Sequence, residues 1–358
     1  MTVSAASSLT RQSQRRMEYL RGFALLLIIA VAGLYIVKWN PYFHRAFTAA
    51  AKHSIGTSIV SGKSAAPPGV SFGASLAYFQ AYFKAIWQAL VLGLLLAATI
   101  EALVPRDWIA RVLGKAGLGS SILGGVFALP GMMCTCCSAP VVVGFRKSGA
   151  SAGAATAFFL GNPTLNPAVL VFLVFTLGWQ WAVLRAVFGV ALVLGGAVLA
   201  ARLAGKDLVL PQPPLAVSLP ADTHNVAVRW FTSLGRLIVT LVPEYLIIVL
   251  LLGALRAVLF PAAIAHAGAT PAVLVGLAVA GTLFAIPTAG EIPIIQTLQA
   301  FGLSAGAAGV LLLTLAPLSL PSLVMLSRSF PLRVLGALAG LTAVTGLICG
   351  LVAMTLHL

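Results

Sequence analysis

Apolar runs close to twenty residues long follow one another along almost the whole chain, from Gly22 to Val37 through to the Leu/Gly/Ala-rich C-terminus. A helix that crosses a bilayer needs about 20 such residues. In hydrocarbon every backbone N–H and C=O must find a partner within the protein. Composition leaves no soluble alternative. Hydrophobic residues make up 60% of the 358, charged residues only 8%, and the mean hydropathy is +1.05. A soluble domain carries about 25% charged residues. The expected fold class is an all-α polytopic membrane protein, with the lipid bilayer as its first partner.

The net charge of +15, from 22 Lys and Arg against 7 Asp and Glu, would suggest nucleic acid in a soluble protein. Here the basic residues stand singly at the ends of apolar runs, so they read as topology markers, and no nucleic-acid partner is expected. Arg11, Arg15, Arg16 and Arg21 precede the first run, and no small-residue cleavage site follows it. A retained first helix is expected, with Lys38-Trp39-Asn40-Pro41-Tyr42 as an interfacial belt.

The spans read as 18–38, then a polar connection over 39–73, then 75–104. Two short pieces, 117–130 and 138–147, flank Met133-Cys134-Thr135-Cys136-Cys137. A run over 149–177 is interrupted at Asn162-Pro163 and Asn166-Pro167, and 179–201 follows. The Pro-rich stretch Lys206 to His224 is a linker. Beyond it the pattern returns. Phe127-Ala-Leu-Pro130 matches Phe284-Ala-Ile-Pro287, and Gly149-Ala-Ser-Ala-Gly-Ala-Ala155 matches Gly302-Leu-Ser-Ala-Gly-Ala-Ala308. Pro163-x-x-x-Pro167 matches Pro317-x-x-x-Pro321. The chain therefore divides into 1–74, a first repeat over 75–203, a linker over 204–228 and a second repeat over 229–358. Repeats with interrupted helices at corresponding places mark secondary transporters.

Three crossings per repeat would invert the second against the first. With the N-terminus inside, Arg11, Arg15, Arg16, Arg21, Arg106, Arg111, Lys115, Arg146, Lys147, Arg202, Lys206, Arg229, Arg236, Arg328 and Arg333 fall inside. Lys38, Arg45, Lys52, Lys63, Lys84, Arg185 and Arg256 fall outside. The excess of inside charge agrees with the positive-inside rule.

Helix breakers locate the site. Pro130, Gly131 and Pro140 bracket the thiols; Pro287, Gly290 and Pro293 do the same around Glu291; Pro163, Pro167, Pro317 and Pro321 break the following runs. Non-helical backbone at membrane depth survives only in protein or lining a cavity, so the breaks are expected to meet at a substrate site. Three of the four cysteines, Cys134, Cys136 and Cys137, fall there; thiols are soft ligands and select soft acids. Ser138, Asn162, Asn166, Thr288 and Gln296 are further candidate substrate contacts. Glu291, a carboxylate at membrane depth, is a candidate proton carrier. Cys349 reads as packing, Glu101 as interfacial, and Glu244 as a cap or interface residue. The two G-x-S-x-G patterns read as close-packing motifs rather than hydrolase elbows, since no strand precedes them. The five His are scattered and no phosphate loop is present, so neither a resident metal nor a cofactor is expected.

The Pro130…Cys134-x-Cys136…Pro140 loop, Arg146-Lys147-Ser148-Gly149-Ala150-Ser151 and Phe158-Phe159-Leu160-Gly161-Asn162-Pro163 resemble the ArsP-type (YraQ-like) permease family. Glu291-Ile292-Pro293 and Pro317-x-x-x-Pro321 fit as well, and the resemblance covers about residues 75–350. It implies a bacterial inner-membrane permease, not an enzyme, exporting trivalent organoarsenicals such as methylarsenite, or soft or transition metals. Cys137-Ser138-Ala139 departs from the Cys-x-Cys-Gly pattern of relatives. Taken without the resemblance, the residues leave open a carrier for another small solute, a thiol- or sulfur-handling membrane enzyme, and a non-transporting scaffold.

Overall fold

The computed structural model describes residues 22–62, 64, 67–115, 117–205, 226–260 and 270–358. The linker at 206–225, with Lys206, and also Arg11, Arg15, Arg16, Arg21 and Lys63, lie outside the described residues. Among the described residues every regular element is a helix, apart from an isolated antiparallel bridge between Ser58 and Gly62. Six helical stretches among the described residues are long and apolar enough to cross a membrane, the broken run Ala152–Thr176 counted as one.

The first, α1 (Gly22–Lys52), is mostly exposed. It does not end at an interfacial belt near Lys38. It continues through a π-helical turn, Tyr35–Trp39, which turns Lys38 inward, so the 39–73 connection contracts to 53–71. Next come α2 (Phe72–Leu103) and a short surface helix, α3 (Arg106–Leu113). A hairpin follows, made of α4 (Leu118–Ala128) and α5 (Thr135–Lys147). The broken run is α6 (Ala152–Thr164) and α7 (Pro167–Thr176), and α8 (Trp179–Ala204) closes the half.

The second half keeps this order. A long helix, α9 (Val226–Leu259), leads to a hairpin of α10 (Pro271–Leu283) and α11 (Glu291–Ala300). The broken run is α12 (Ala305–Thr314) and α13 (Leu320–Leu326), followed by α14 (Leu332–Thr355). The G-x-S-x-G motifs take the same form in both halves. Gly149 and Gly302 each have φ of 97°, a left-handed turn that suits glycine. Ser151 and Ser304 then cap α6 and α12 by accepting from Ala154 N and Ala307 N.

Corresponding helices run in opposite directions. At the end of α2, Arg229 of α9 donates to Ala102 O, Trp230 donates to Thr99 Oγ1 at 2.9 Å, and Arg236 pairs with Glu101 at 3.0 Å. At its start, Ser75 donates to Leu250 O and Arg256 donates to Ala74 O. Likewise Arg333 at the start of α14 lies beside Gly205 at the end of α8, with Gly196 against Leu338 between them. Exposed apolar side chains such as Ile28, Val239, Ile247 and Leu332 cover the outside, where lipid contact costs nothing.

The breakers act differently from one another. Pro130, Pro287, Gly290 and Pro317 lie in turns, and Pro167 and Pro321 open α7 and α13. By contrast Pro140, Pro163 and Pro293 lie inside helices. Pro140 does not end the thiol segment, because α5 runs on through it to Lys147. What it removes is the donor for the Cys136 carbonyl, four residues back.

Candidate functional site: three thiols at the meeting of broken helices

The chain reaches the site through a turn at 129–134, with Met132 at φ 48°. Asn162 of α6 holds this turn. Its Oδ1 accepts from Met133 N at 3.3 Å, and its Nδ2 donates to Phe158 O at 2.9 Å. A Cβ at Gly131 would lie 2.3 Å from Asn162 Oδ1, so any side chain there would push Asn162 off the turn it holds.

Cys134 is the N-cap of α5, and Cys136 and Cys137 sit on its first turn, where the positive end of the helix dipole collects. This brings the sulfurs together: Cys134 to Cys136 is 2.8 Å, Cys134 to Cys137 is 3.1 Å and Cys136 to Cys137 is 3.7 Å. All three thiols are free and buried. The convergence comes from a helix start, not from an extended loop. Tyr82 of α2 donates to Cys136 Sγ at 3.6 Å and accepts from Tyr245 of α9 at 2.9 Å. Thr135 shares a 3.1 Å hydrogen bond with Ser319, in the break between α12 and α13.

Two cations reach the centre. Lys38 is 5% exposed, lies within electrostatic reach of Cys134 and Cys137, and donates to Tyr42 Oη at 3.1 Å and Thr288 Oγ1 at 3.3 Å. Next to it, Trp39 Nε1 donates to Pro130 O at 2.8 Å. One turn of α1 thus touches the tips of both hairpins. Arg185 of α8 is 1% exposed; its Nη1 lies 2.7 Å from Glu291 Oε1. It also donates to Pro163 O at 2.8 Å, Thr164 O at 3.0 Å and Leu312 O at 3.2 Å. These are orphan carbonyls. Pro167 has no N–H to offer Pro163 O, and Ala168 N is taken by Asn166 Oδ1 instead of Thr164 O. Leu312 lies in the last turn of α12. The C-terminal ends of α6 and α12 therefore share one guanidinium.

A family profile described as "Predicted permease", ArsP_1, matches residues 131–355. UPF0718 protein YraQ of Escherichia coli (strain K12) is 44% identical over 327 residues, covering 91% of this chain and 93% of the relative. The chain belongs to the ArsP_1 family of permeases. No solved structure matches it. As a member of this family the chain is a multi-pass membrane permease with a small-molecule substrate, and a transporter rather than an enzyme.

In this permease the predicted residues separate. Cys134, Cys136 and Cys137 come together, with Ser138 beside them donating to Thr135 O at 3.2 Å. Thr288 faces Lys38. Asn162 and Asn166 serve the backbone, Asn166 capping α7, although Asn166 Nδ2 is buried without a partner. Gln296 lies elsewhere, joining the end of α1 to the end of α7 by donating to His53 O at 2.8 Å and Thr176 O at 3.2 Å. Glu101 pairs with Lys147 as well as Arg236, Glu244 pairs with Arg328, and Cys349 is buried in α14. Lys38 and Arg185, expected on the outer surface, are both buried at the centre. For Arg185 a signal existed: it stands inside Trp181-Ala-Val-Leu-Arg-Ala-Val-Phe188, with apolar neighbours on both sides. Tyr82, Tyr245, Thr135 and Ser319 left no distinguishing pattern.

Proposed function

We propose that this permease exports a soft, thiophilic substrate, a trivalent organoarsenical such as methylarsenite, across a bacterial inner membrane. The observation that carries the reading is the trio of buried thiols, all within 4.8 Å of one another. A trivalent organoarsenical keeps one bond to carbon, so it bonds to two of the three sulfurs at about 2.3 Å, a typical metal–thiolate distance, holds them roughly 3.3–3.5 Å apart, and loses its two hydroxyls as water with the two thiol protons. The observed separations of 2.8–3.7 Å bracket that value. The same three sulfurs support a bare soft-metal ion as the second reading.

The antiparallel run of α2 with α9 and of α8 with α14 supports two inverted repeats. The basic residues Arg106, Arg111, Arg202, Arg229 and Arg333 gather at the face where α2 ends, which supports a cytoplasmic N-terminus. Hairpin one then opens to the cytoplasm and hairpin two to the outside. Glu291 couples a proton in this scheme only by leaving Arg185. Protonation would break the pair and free α11 of hairpin two, which carries Glu291, while Arg185 keeps its bonds to the ends of α6 and α12.

The test is methylarsenite uptake into everted membrane vesicles, with and without a proton gradient, for wild type and for Cys134→Ser, Cys136→Ser and Cys137→Ser. Uptake lost in the variants is the expected result. Uptake that survives all three together would reduce the thiols to packing. Uptake indifferent to the gradient would remove the coupling role of Glu291.

A further inference from the structure

A cavity of about 1030 Å³ lies between α1, the segment that follows it, α2, α9 and the tip of hairpin two, one side chain removed from the thiols. Its charge is one-sided. Lys38, Arg45, Lys84 and Arg256 line it, and no acidic side chain does. Among the described residues the carboxylates are Glu101, Asp107, Glu244 and Glu291, all placed elsewhere, and Glu291 is already paired with Arg185. None of the four cations is in an ion pair among the described residues. Their partners are neutral. Arg45 donates to Ile55 O, Arg256 donates to Ile59 O and Ala74 O and lies over the Tyr78 ring, and Lys38 reaches Tyr42 and Thr288. Two residues of its wall lead to the thiols: Tyr78 stacks on Tyr82, the donor to Cys136 Sγ, at 5.8 Å between ring centroids, and next to Lys38 the Trp39 Nε1 donates to Pro130 O of hairpin one. A cleft lined by charge of one sign concentrates ions of the other and repels its own. A free cation passing a buried ammonium is disfavoured about a hundredfold at separations of 5–7 Å and an effective dielectric near 20.

We propose that this cavity is an anion-selecting vestibule. The soft centre, bonded to two of the three thiols, then belongs by preference to a molecule that also carries negative charge, an organoarsenical bearing a carboxylate or an arsenic centre with one anionic thiol ligand, over a neutral arsenical such as methylarsenite, and bare soft-metal cations are excluded. This rests on the thiol-site reading for the identity of the soft centre, but not for the vestibule itself.

Two measurements keep these apart. The first reads the vestibule alone. Ala81→Cys places a thiol on the cavity wall, and its modification rates by an anionic and a cationic methanethiosulfonate of equal size are compared in phosphatidylcholine vesicles. Rates are normalised to a free thiol, with the unsubstituted protein as the blank. Four unit charges across a cavity of this scale, in water and screened by 0.15 M salt, give the anionic reagent roughly a tenfold advantage. Lys84→Gln should reduce it. A ratio of one or below overturns the vestibule. A ratio that collapses only when phosphatidylglycerol is added assigns the cavity to a lipid headgroup and overturns the substrate half of the proposal.

The second measurement is calorimetric binding of phenylarsenite, 4-carboxyphenylarsenite and Ag(I) to the purified protein. The carboxylated compound should bind several-fold tighter than its neutral parent, and Lys84→Gln should narrow the gap. Equal affinity, or tighter Ag(I) binding, overturns the anionic substrate. If neither arsenical binds, the thiol reading fails and the substrate half fails with it, while the reagent ratio still decides the vestibule.

Discussion

Arg185→Met and Glu291→Gln should not cost the same, and the inequality follows from what each side chain touches. Arg185 serves Glu291 and three carbonyls that no backbone N–H can reach. Replacing it with methionine, of similar length, leaves a buried carboxylate unpaired and those carbonyls without donors. Removing one partner of a buried ion pair costs about 3–5 kcal/mol. The lost carbonyl contacts add to this, though not additively. Glu291→Gln is different. It removes the carboxylate but leaves Arg185 facing the C-terminal ends of α6 and α12. Each helix end carries roughly half a negative charge, so the two together nearly balance the guanidinium. The glutamine change should cost less than half as much. The assay is the fraction of purified protein that stays monodisperse in detergent after heating. Arg185→Met should lower the midpoint by roughly 6–20 °C and Glu291→Gln by clearly less, given about 2–4 °C per kcal/mol in chains of this order of size. Arg185→Met/Glu291→Gln should recover part of the loss, since no buried charge is then unpaired. If Glu291→Gln proved as damaging as Arg185→Met, the view of Arg185 as a shared cap for two half-helices would be wrong, and the ion pair itself would carry the stability.

Gly93→Ala should abolish methylarsenite binding without touching a thiol, because its Cβ would sit 2.3 Å from Cys137 O and push α5 away from α2. Full binding with unchanged thiol accessibility would refute the close approach of these helices. Tyr82→Phe removes a hydroxyl that accepts from Tyr245 and donates to Cys136. It should cost about 1–3 kcal/mol by stranding the buried Tyr245 hydroxyl, and Tyr82→Phe/Tyr245→Phe should be more stable in the same heating assay than the single variant. A double variant no better than the single one would argue against the pair. Asn162→Leu deprives the hairpin turn of its hydrogen bond to Met133 N, so cysteine alkylation in the folded protein should rise several-fold. An unchanged rate would mean that the turn holds without Asn162.

The fold was legible where it depends on single residues that forbid something. Proline, and glycine that a side chain cannot replace, cut the apolar runs, and the cuts fall at the same order of positions in both halves, so hairpins and broken helices could be read off. The three thiols were legible because a short turn cannot separate residues so close in sequence. What could not be read was which charges turn inward. Lys38 stands at the end of an apolar run, as topology markers do, and Arg185 within one, and only the three-dimensional path of α1 and α8 takes them to the centre. Yet part of the reason for Arg185 was written in the chain. A proline four residues after Pro163 leaves the Pro163 carbonyl with no helical donor, and an orphan carbonyl at membrane depth demands one from elsewhere. Glu291, for its part, demands a cation once buried. Both demands point to one missing positive charge inside the membrane, and Arg185, flanked by apolar residues on both sides, meets them together. In a chain this apolar a buried charge is best sought by asking which broken backbone groups and lone carboxylates still lack a partner.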